Sequence, residues 1–406
     1  MNIKEIIRKQ LEKIKLNKEE SEKLEKETKN FINKLEENLK KRKIKADVFL
    51  GGSLAKKTIL KRDKYDIDIF VRFDKKYKDN EISELLGKIV RGKRIHGSRD
   101  YFLARRKKIA FEVIPVIRIN KAVEARNVTD LSYFHVSYVK NRINKKLGLA
   151  DEIMLAKHFS YCQKVYGAES YIKGFSGYAL ELLVIYYGSF LNFIKSIAKS
   201  KGQIIIDPEK YYKNKEEILQ NLNEAKLTSI VFVDPTFKER NALAALSRET
   251  LEKFKVVCKE FLSKPSLRFF EEKEIDRKNF NLILVARTNK QEGDIAGSKL
   301  KKFYNFLDGK LGKYFEIKAR DFEYDNKKSA YLFFSVKAKK ELVLFGPPII
   351  ALENVLAFKK KHKNVFIKQG RVFAKEKVSI SIREFVNKFK SKNKRRMREM
   401  GIVSLG

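Results

Sequence analysis

Residues Tyr65 to Phe73 alternate with a period of two. Tyr65, Ile67, Ile69, Val71 and Phe73 fall on one side, and Asp66, Asp68 and Arg72 on the other. Only a strand puts successive side chains on opposite faces, so this stretch predicts one strand with an apolar face and a face bearing two carboxylates. Two like charges at i and i+2 lie a few ångströms apart and repel unless a cation sits between them. This segment demands a sheet with one buried side and gives the other side a chemical task.

The surroundings extend the pattern. Val48-Phe49-Leu50 reads as a short strand running into Gly51-Gly52-Ser53, and residues 54 to 60 as the helix after the turn. A glycine turn opening a helix exposes backbone N–H groups and the positive end of a dipole, which suits phosphate oxygens. Ser53 can add a hydroxyl donor and Lys56 a charge. Thirteen residues beyond Ser53 come Asp66 and Asp68. A third strand, Phe111 to Ile117, carries Glu112, which can complete a carboxylate set for Mg²⁺, a hard cation commonly shared between carboxylates and phosphates. Each piece alone is ordinary; the succession of strand, glycine turn, helix, D-x-D strand and carboxylate-bearing strand is not.

Ile3, Ile6, Ile7, Leu11 and Ile14, then Leu24, Phe31, Ile32, Leu35 and Leu39, mark two amphipathic helices ahead of the sheet. Residues 1–140 therefore read as an α/β head, 141–265 as a mostly helical domain, and 266–406 as an α+β body and tail with short strands at Leu282–Ala286, Phe315–Ala319 and Tyr331–Val336. Tyr178 to Ile194 reads as one buried helix, broken by Glu181, Gly188, Ser189 and Asn192 too often to span a bilayer. Arg240 to Leu262 reads as a helix entered from Asp234-Pro235-Thr236. Gly346-Pro347-Pro348 breaks the chain before a helix at Ile349 to Lys360, and the run Lys392 to Arg398 is either disordered or follows phosphates.

The 406 residues hold 91 Lys+Arg against 51 Asp+Glu, a formal charge of +40. Such an excess works against compaction unless a polyanion sits on it, and nucleic acid is the leading candidate. Two cysteines and four histidines without ligand spacing argue against a disulfide scaffold or structural zinc. The N-terminus mixes apolar and charged residues at helical spacing, unlike a secretory signal. A cytoplasmic protein with no membrane role is expected.

The joint pattern resembles the nucleotidyltransferase superfamily of the polymerase β type. Further landmarks narrow the resemblance to the archaeal-type (class I) CCA-adding enzymes. These are Gly52 to Thr58, Thr129-Asp130-Leu131-Ser132-Tyr133-Phe134-His135, Val165-Tyr166-Gly167-Ala168-Glu169, Gly174-Phe175-Ser176-Gly177-Tyr178, Asp234-Pro235 with Arg240-Asn241, and Gly346-Pro347-Pro348. The resemblance implies addition of C, C and A to the 3′ end of tRNA from CTP and ATP, with two Mg²⁺ ions and no covalent intermediate. It assigns Asp66, Asp68 and Glu112 to the metals, although the family usually has Asp at the third place. It assigns Ser53 and Lys56 to the triphosphate, with Arg common in relatives at the latter position. His135, Lys157 and Tyr166 match positions that bind phosphates and ribose, and Arg240 the position that reads the base edge. A homodimer is compatible with the relatives. Competing readings are another RNA 3′-end nucleotidyltransferase, such as a poly(A) polymerase or an enzyme adding only part of CCA, and an inactive RNA-binding protein. The intact Asp66/Asp68 pair counts against the last.

Overall fold

The computed structural model describes residues 2–97, 99–377 and 380–406. It divides into two compact units, Met1–Ala168 with Ile172–Lys273, and Glu169–Tyr171 with Glu274–Gly406. The fold is α/β and α+β in separate parts, as the alternation of patterns predicts.

The first unit opens with helices α1 (Ile3–Ile14) and α2 (Lys18–Lys41). Asn17 and Glu20 form a reciprocal capping box that fixes the start of α2. Leu24, Thr28, Phe31, Leu35 and Leu39 recur at steps of three and four, so α2 buries a single stripe. That stripe covers a five-stranded sheet with spatial order β1-β2-β5-β4-β3. Its strands are β1 (Ala46–Leu50), β2 (Tyr65–Phe73), β3 (Lys93–Ile95), β4 (Tyr101–Arg106) and β5 (Ile109–Ile117). Only β2 and β5 run parallel. The Phe31 ring stacks on Phe111 of β5 at 4.1 Å, and Ile67, Ile69, Val71 and Phe73 complete this core. Helix α4 (Asp79–Gly87) adds Ile82 and Leu86 to it. With one face thus occupied, Asp66, Asp68 and Glu112 are left on the other.

The expected helix over residues 54–60 is a single turn, α3 (Gly52–Ala55), closed by Lys56. Lys57 adopts φ 55°, which ends the helix there. So short a turn has no useful macrodipole, and donors at this corner are the turn's own N–H groups and Lys56.

Helices α5 (Ser132–Lys145), α6 (Leu149–Cys162), α7 (Gly177–Tyr187), α8 (Phe190–Lys199) and α10 (Arg248–Ser263), with the short α9 (Lys215–Asn221), form the helical part. Its core is aromatic, with Phe159, Phe175, Phe190, Phe193, Phe254 and Phe261 all fully buried. The apolar run from Tyr178 is two helices rather than one. Gly188 takes φ 81°, Ser189 caps the next helix, and α7 and α8 meet at 93°. Among the described residues, no single helix is long and apolar enough to cross a membrane. A small sheet of β6 (Ile204–Ile206), β7 (Ile230–Asp234) and β8 (Phe237–Asn241) packs beside them. Arg240 therefore lies on a strand, and the helix expected from residue 240 starts at Arg248. Asp234-Pro235-Thr236 turns a hairpin, because Asp234 Oδ1 binds the Thr236 N–H and ties the chain back on itself.

The second unit holds an antiparallel sheet, β10-β11-β9-β15, made of β9 (Leu282–Thr288), β10 (Phe315–Tyr324), β11 (Ser329–Ala338) and β15 (Ile402–Leu405). Helix α11 (Asp294–Tyr314) packs Leu300, Phe303, Leu307 and Leu311 against it. A second sheet joins β12 (Glu341–Pro348), β14 (Arg371–Lys377) and β13 (Asn364–Lys368), followed in the sequence of β12 by α12 (Leu352–Lys361). Gly346-Pro347-Pro348 thus belongs to a strand, where a Cβ at Gly346 would stand 2.8 Å from the Val372 carbonyl. The helix begins at Leu352, not Ile349. Helices α13 (Ile382–Lys392) and α14 (Lys394–Glu399) show that the basic end is ordered. Met397 and Met400 anchor it in the core beneath its arginines.

Candidate active site

Strands β2 and β5 set the carboxylates. Their register pairs Asp68 directly with Glu112, with Asp66 two residues earlier on the same side. The turn after β1 presses onto this pair. The Gly51 N–H donates to the Asp68 carbonyl at 2.9 Å. Gly52 has φ 59°, and a Cβ there would lie 1.8 Å from Asp68 Oδ2. Only glycine both adopts this conformation and leaves room for the carboxylate. Ser53 follows, half-buried, on α3.

Burial pushes the Glu112 carboxyl up to about 7, and the charges of Asp68 and Asp66 add to the shift. Burial also raises Asp68, with Asp66 adding to the rise and Lys56 and Lys157 opposing it. These are groups short of positive charge. Hard oxygen donors of this kind suit a divalent cation, but among the described residues no group of three His, Cys, Asp or Glu side chains can enclose an ion. The donors present fit an ion that also takes oxygens from a substrate, which is how Mg²⁺ is commonly held.

Beside the carboxylates lies a buried ionic cluster. Lys56 Nζ donates to Glu181 Oε2 and Lys157 Nζ to Glu181 Oε1, both at 2.7 Å. Lys157 also donates to Thr58 Oγ1 at 2.9 Å. Glu181 is fully buried on α7. Burial alone would raise its carboxyl, yet Lys157 and Lys56 hold it below the ordinary value. Tyr166 packs against the start of α7, where a Cβ on Gly177 would stand 2.9 Å from its hydroxyl. Its phenol is pushed up to about 12 by burial and then by Glu181.

A second hub is Asp234, also fully buried. Its Oδ1 accepts from the Tyr178 hydroxyl at 3.0 Å, and from the Thr236 N–H and hydroxyl at 2.9 and 2.8 Å. Arg240 Nη1 donates to Oδ2 at 2.5 Å. His135 Nε2 sits 3.2 Å from the same oxygen. The His135 ring stacks on Tyr178 with centroids 4.1 Å apart. Burial would raise Asp234, but His135 and Arg240 overcome it and hold the carboxyl far below the usual range. Burial keeps His135 below its ordinary value, with Asp234 pulling the other way. The end of β5 and the start of α5 are joined by Asp130, which accepts from the Ile117 N–H at 2.8 Å and pairs with buried Arg99.

All nine residues singled out in the sequence lie in the first unit, with Asp66, Asp68 and Glu112 on β2 and β5, Ser53 and Lys56 at the turn beside them, His135 and Lys157 on α5 and α6, Tyr166 after α6, and Arg240 on β8 of the small sheet. Glu181 and Thr58 were missed as members, and Asp234 was noted only as a turn. The signal for Glu181 was present. One carboxylate inside Gly-Tyr-Ala-Leu-Glu-Leu-Leu-Val-Ile-Tyr-Tyr must find cationic partners if that helix is buried.

Comparison with known proteins matches this arrangement at two levels. The profile described as "tRNA nucleotidyltransferase, second domain" covers residues 151–271, and that of the "Second Messenger Oligonucleotide or Dinucleotide Synthetase domain" covers 1–138. A CCA-adding enzyme of Nanoarchaeum equitans (strain Kin4-M) is 35% identical over 340 residues, 80% of this chain and 83% of its own. The chain belongs to the CCA-adding enzymes. A CCA-adding enzyme of Methanocaldococcus jannaschii is 30% identical over 396 residues, 92% of this chain and 87% of its own. Among solved structures, the Cid1 poly(U) polymerase with Mg 3′-dATP bound superposes with TM-score 0.53 at 14% identity, covering 66% of this chain and 98% of that one. At that identity the likeness concerns the fold, and it gives this CCA-adding enzyme a nucleotidyltransferase architecture.

Proposed function

We propose that this chain adds C, C and A in turn to the 3′ end of tRNA, using CTP and ATP and releasing pyrophosphate. Family membership supports the reaction. The observation that carries the chemistry is the Asp68–Glu112 pairing across β2 and β5, with Asp66 alongside and the Gly52 turn against Asp68.

In this reading Asp66, Asp68 and Glu112 would hold two Mg²⁺ ions. When bound, the ions supply Lewis-acid stabilisation to the attacking and leaving oxygens. The 3′-oxygen of the RNA forms a bond to the α-phosphorus of the nucleotide as the bond to pyrophosphate breaks, in line. Lys56 and Lys157 take the triphosphate, with the Ser53 hydroxyl and N–H groups of the Gly51–Ser53 turn. Their fixed charges balance the charge that develops on the leaving group. His135 and Tyr166 position phosphates and ribose. Arg240 spends one N–H on Asp234, and its remaining donors are free for the acceptors on cytosine and adenine. The departure from Asp at Glu112 is compatible with the role, because the residue already faces Asp68 and has a longer reach.

The +40 charge supports a grip on tRNA through phosphates, with shape and 2′-hydroxyls rather than base sequence as the recognised features. Work on tRNA with CTP and ATP supports a cytoplasmic location, and a homodimer is compatible with the relatives. Extension of tRNA lacking its 3′ end tests the proposal, with each labelled nucleotide alone and with CTP plus ATP, in Mg²⁺ or EDTA, beside Asp68→Ala. Addition that stops after C, C and A, needs the metal and vanishes in the variant is expected. Long A tracts would make it a poly(A) polymerase. Tight tRNA binding without incorporation would make it an RNA-binding protein.

A further inference from the structure

The most demanding group in the first unit is one to which neither the sequence motifs nor the reaction above gives a task. Glu181 is fully buried, has no solvent to stabilise its charge, and sits in a helix otherwise made of apolar and aromatic residues. A carboxylate in such a place is retained only with close cationic partners. It has two, one on each oxygen, and they come from separate elements. Lys56 ends the glycine turn at the sheet, and Lys157 belongs to α6. Both are themselves more than nine-tenths buried.

The arrangement leaves the lysines saturated toward the protein but not toward a ligand. An ammonium has three donors. Lys56 uses one on Glu181, and Lys157 uses one on Glu181 and one on Thr58. The unused donors are therefore aimed by what the used ones hold. A lysine released from Glu181 would lose the partner that fixes the direction of its remaining donors.

We propose that Glu181 is a positioning residue for nucleotidyl transfer, which holds Lys56 and Lys157 in place and aims their free donors at the nucleotide's phosphates. The role rests on the reading of Lys56 and Lys157 as triphosphate ligands. Glu181 itself touches no substrate. Its carboxylate does by fixed charge what a loose surface pair cannot, because burial strengthens the hold and excludes other geometries.

Equilibrium binding of CTP and of ATP, with Mg²⁺ and separately in EDTA, tests this on the full chain, alongside KM and kcat for tRNA extension. Glu181→Gln offers one amide oxygen to two ammonium groups and turns its NH₂ toward the other. Nucleotide affinity should fall by about tenfold to a hundredfold. The loss should persist in EDTA, appear in KM more than in kcat, and leave tRNA affinity unchanged. Glu181→Asp keeps the charge but is too short to span both lysines, so it should recover part of the loss. If Glu181→Gln does not fold, as judged by circular dichroism and melting, Glu181→Asp carries the test. Wild-type nucleotide affinity in a folded Gln variant, or in Asp where Gln fails to fold, would overturn the role. So would a loss confined to kcat. A wild-type protein that binds neither CTP nor ATP would instead sink the assignment of the lysines, which separates the two failures.

Discussion

Asp68 and Glu112 stand opposite one another on the parallel strand pair of the five-stranded sheet, where burial raises both carboxyls and the charge of Asp68 adds to the rise at Glu112. A proton and a divalent cation are alternative answers to the same repulsion. Glu112, pushed up to about 7, binds a proton in the folded protein that the unfolded chain releases near the ordinary value of 4.5. That contribution to stability is fully present below the unfolded value and is lost as pH rises through the folded one. Without metal, melting temperature should therefore decline as pH rises between about 5 and about 7, and added Mg²⁺ should offset the decline. The rate of addition should climb through the same range, with its midpoint moving to lower pH as Mg²⁺ is raised. A metal-free stability profile flat from pH 5 to 7 would remove Glu112 from this account.

Gly52 tests the turn. Gly52→Ala puts a methyl group into the space of Asp68 Oδ2 and forces a left-handed backbone on an L-residue. The backbone term alone costs about 1 kcal/mol or more, read as a shift in the urea midpoint. Activity should fall far more than stability, because Asp68 must rotate away. A folded Ala variant with undiminished extension would refute the close packing described here.

At the other hub, Asp234→Asn keeps the shape and removes the charge shared by Arg240 and His135. Stability should fall by about 2 kcal/mol as a buried, charge-assisted network is broken. Arg240 would lose its anchor, so incorporation of UTP or GTP should rise relative to CTP and ATP. Competition assays on tRNA ending before the first added C would measure this. Unchanged selectivity would mean that Arg240 reads no base.

Binding to tRNA should weaken steeply with salt. Several phosphate contacts predict a loss of about a thousandfold between about 50 and about 200 mM monovalent salt. Filter binding across that range gives the slope. A flat line would disconnect the +40 charge from RNA.

The strands were legible because period-two alternation has a single structural meaning. β2 matches the expected Tyr65–Phe73 to the residue, and β5 gains two residues at its start. The carboxylate set was legible for the same reason. What escaped was decided by backbone sign and by long-range pairing. Gly188 breaks the apolar run because it goes left-handed, which a hydropathy pattern does not register. Arg240 read as helical from the apolar spacing that follows it, but the hydrogen bonds of Asp234 fold that segment into a hairpin. Lys157 carried no local signal at all, since its meaning lies in a carboxylate 24 positions away.

Helix α7 links these sites in a way that neither reveals alone. Tyr178 meets Asp234 and Glu181 meets the two lysines, and the two residues are three apart on the same helix. Less than one turn separates the partner of Asp234 from the partner of the two lysines. A change that rotates or slides this helix disturbs both contacts together, so under the proposed roles choosing a nucleotide and gripping it are not separately adjustable. A variant library along Gly177 to Tyr187 would find few sequences that alter one without the other.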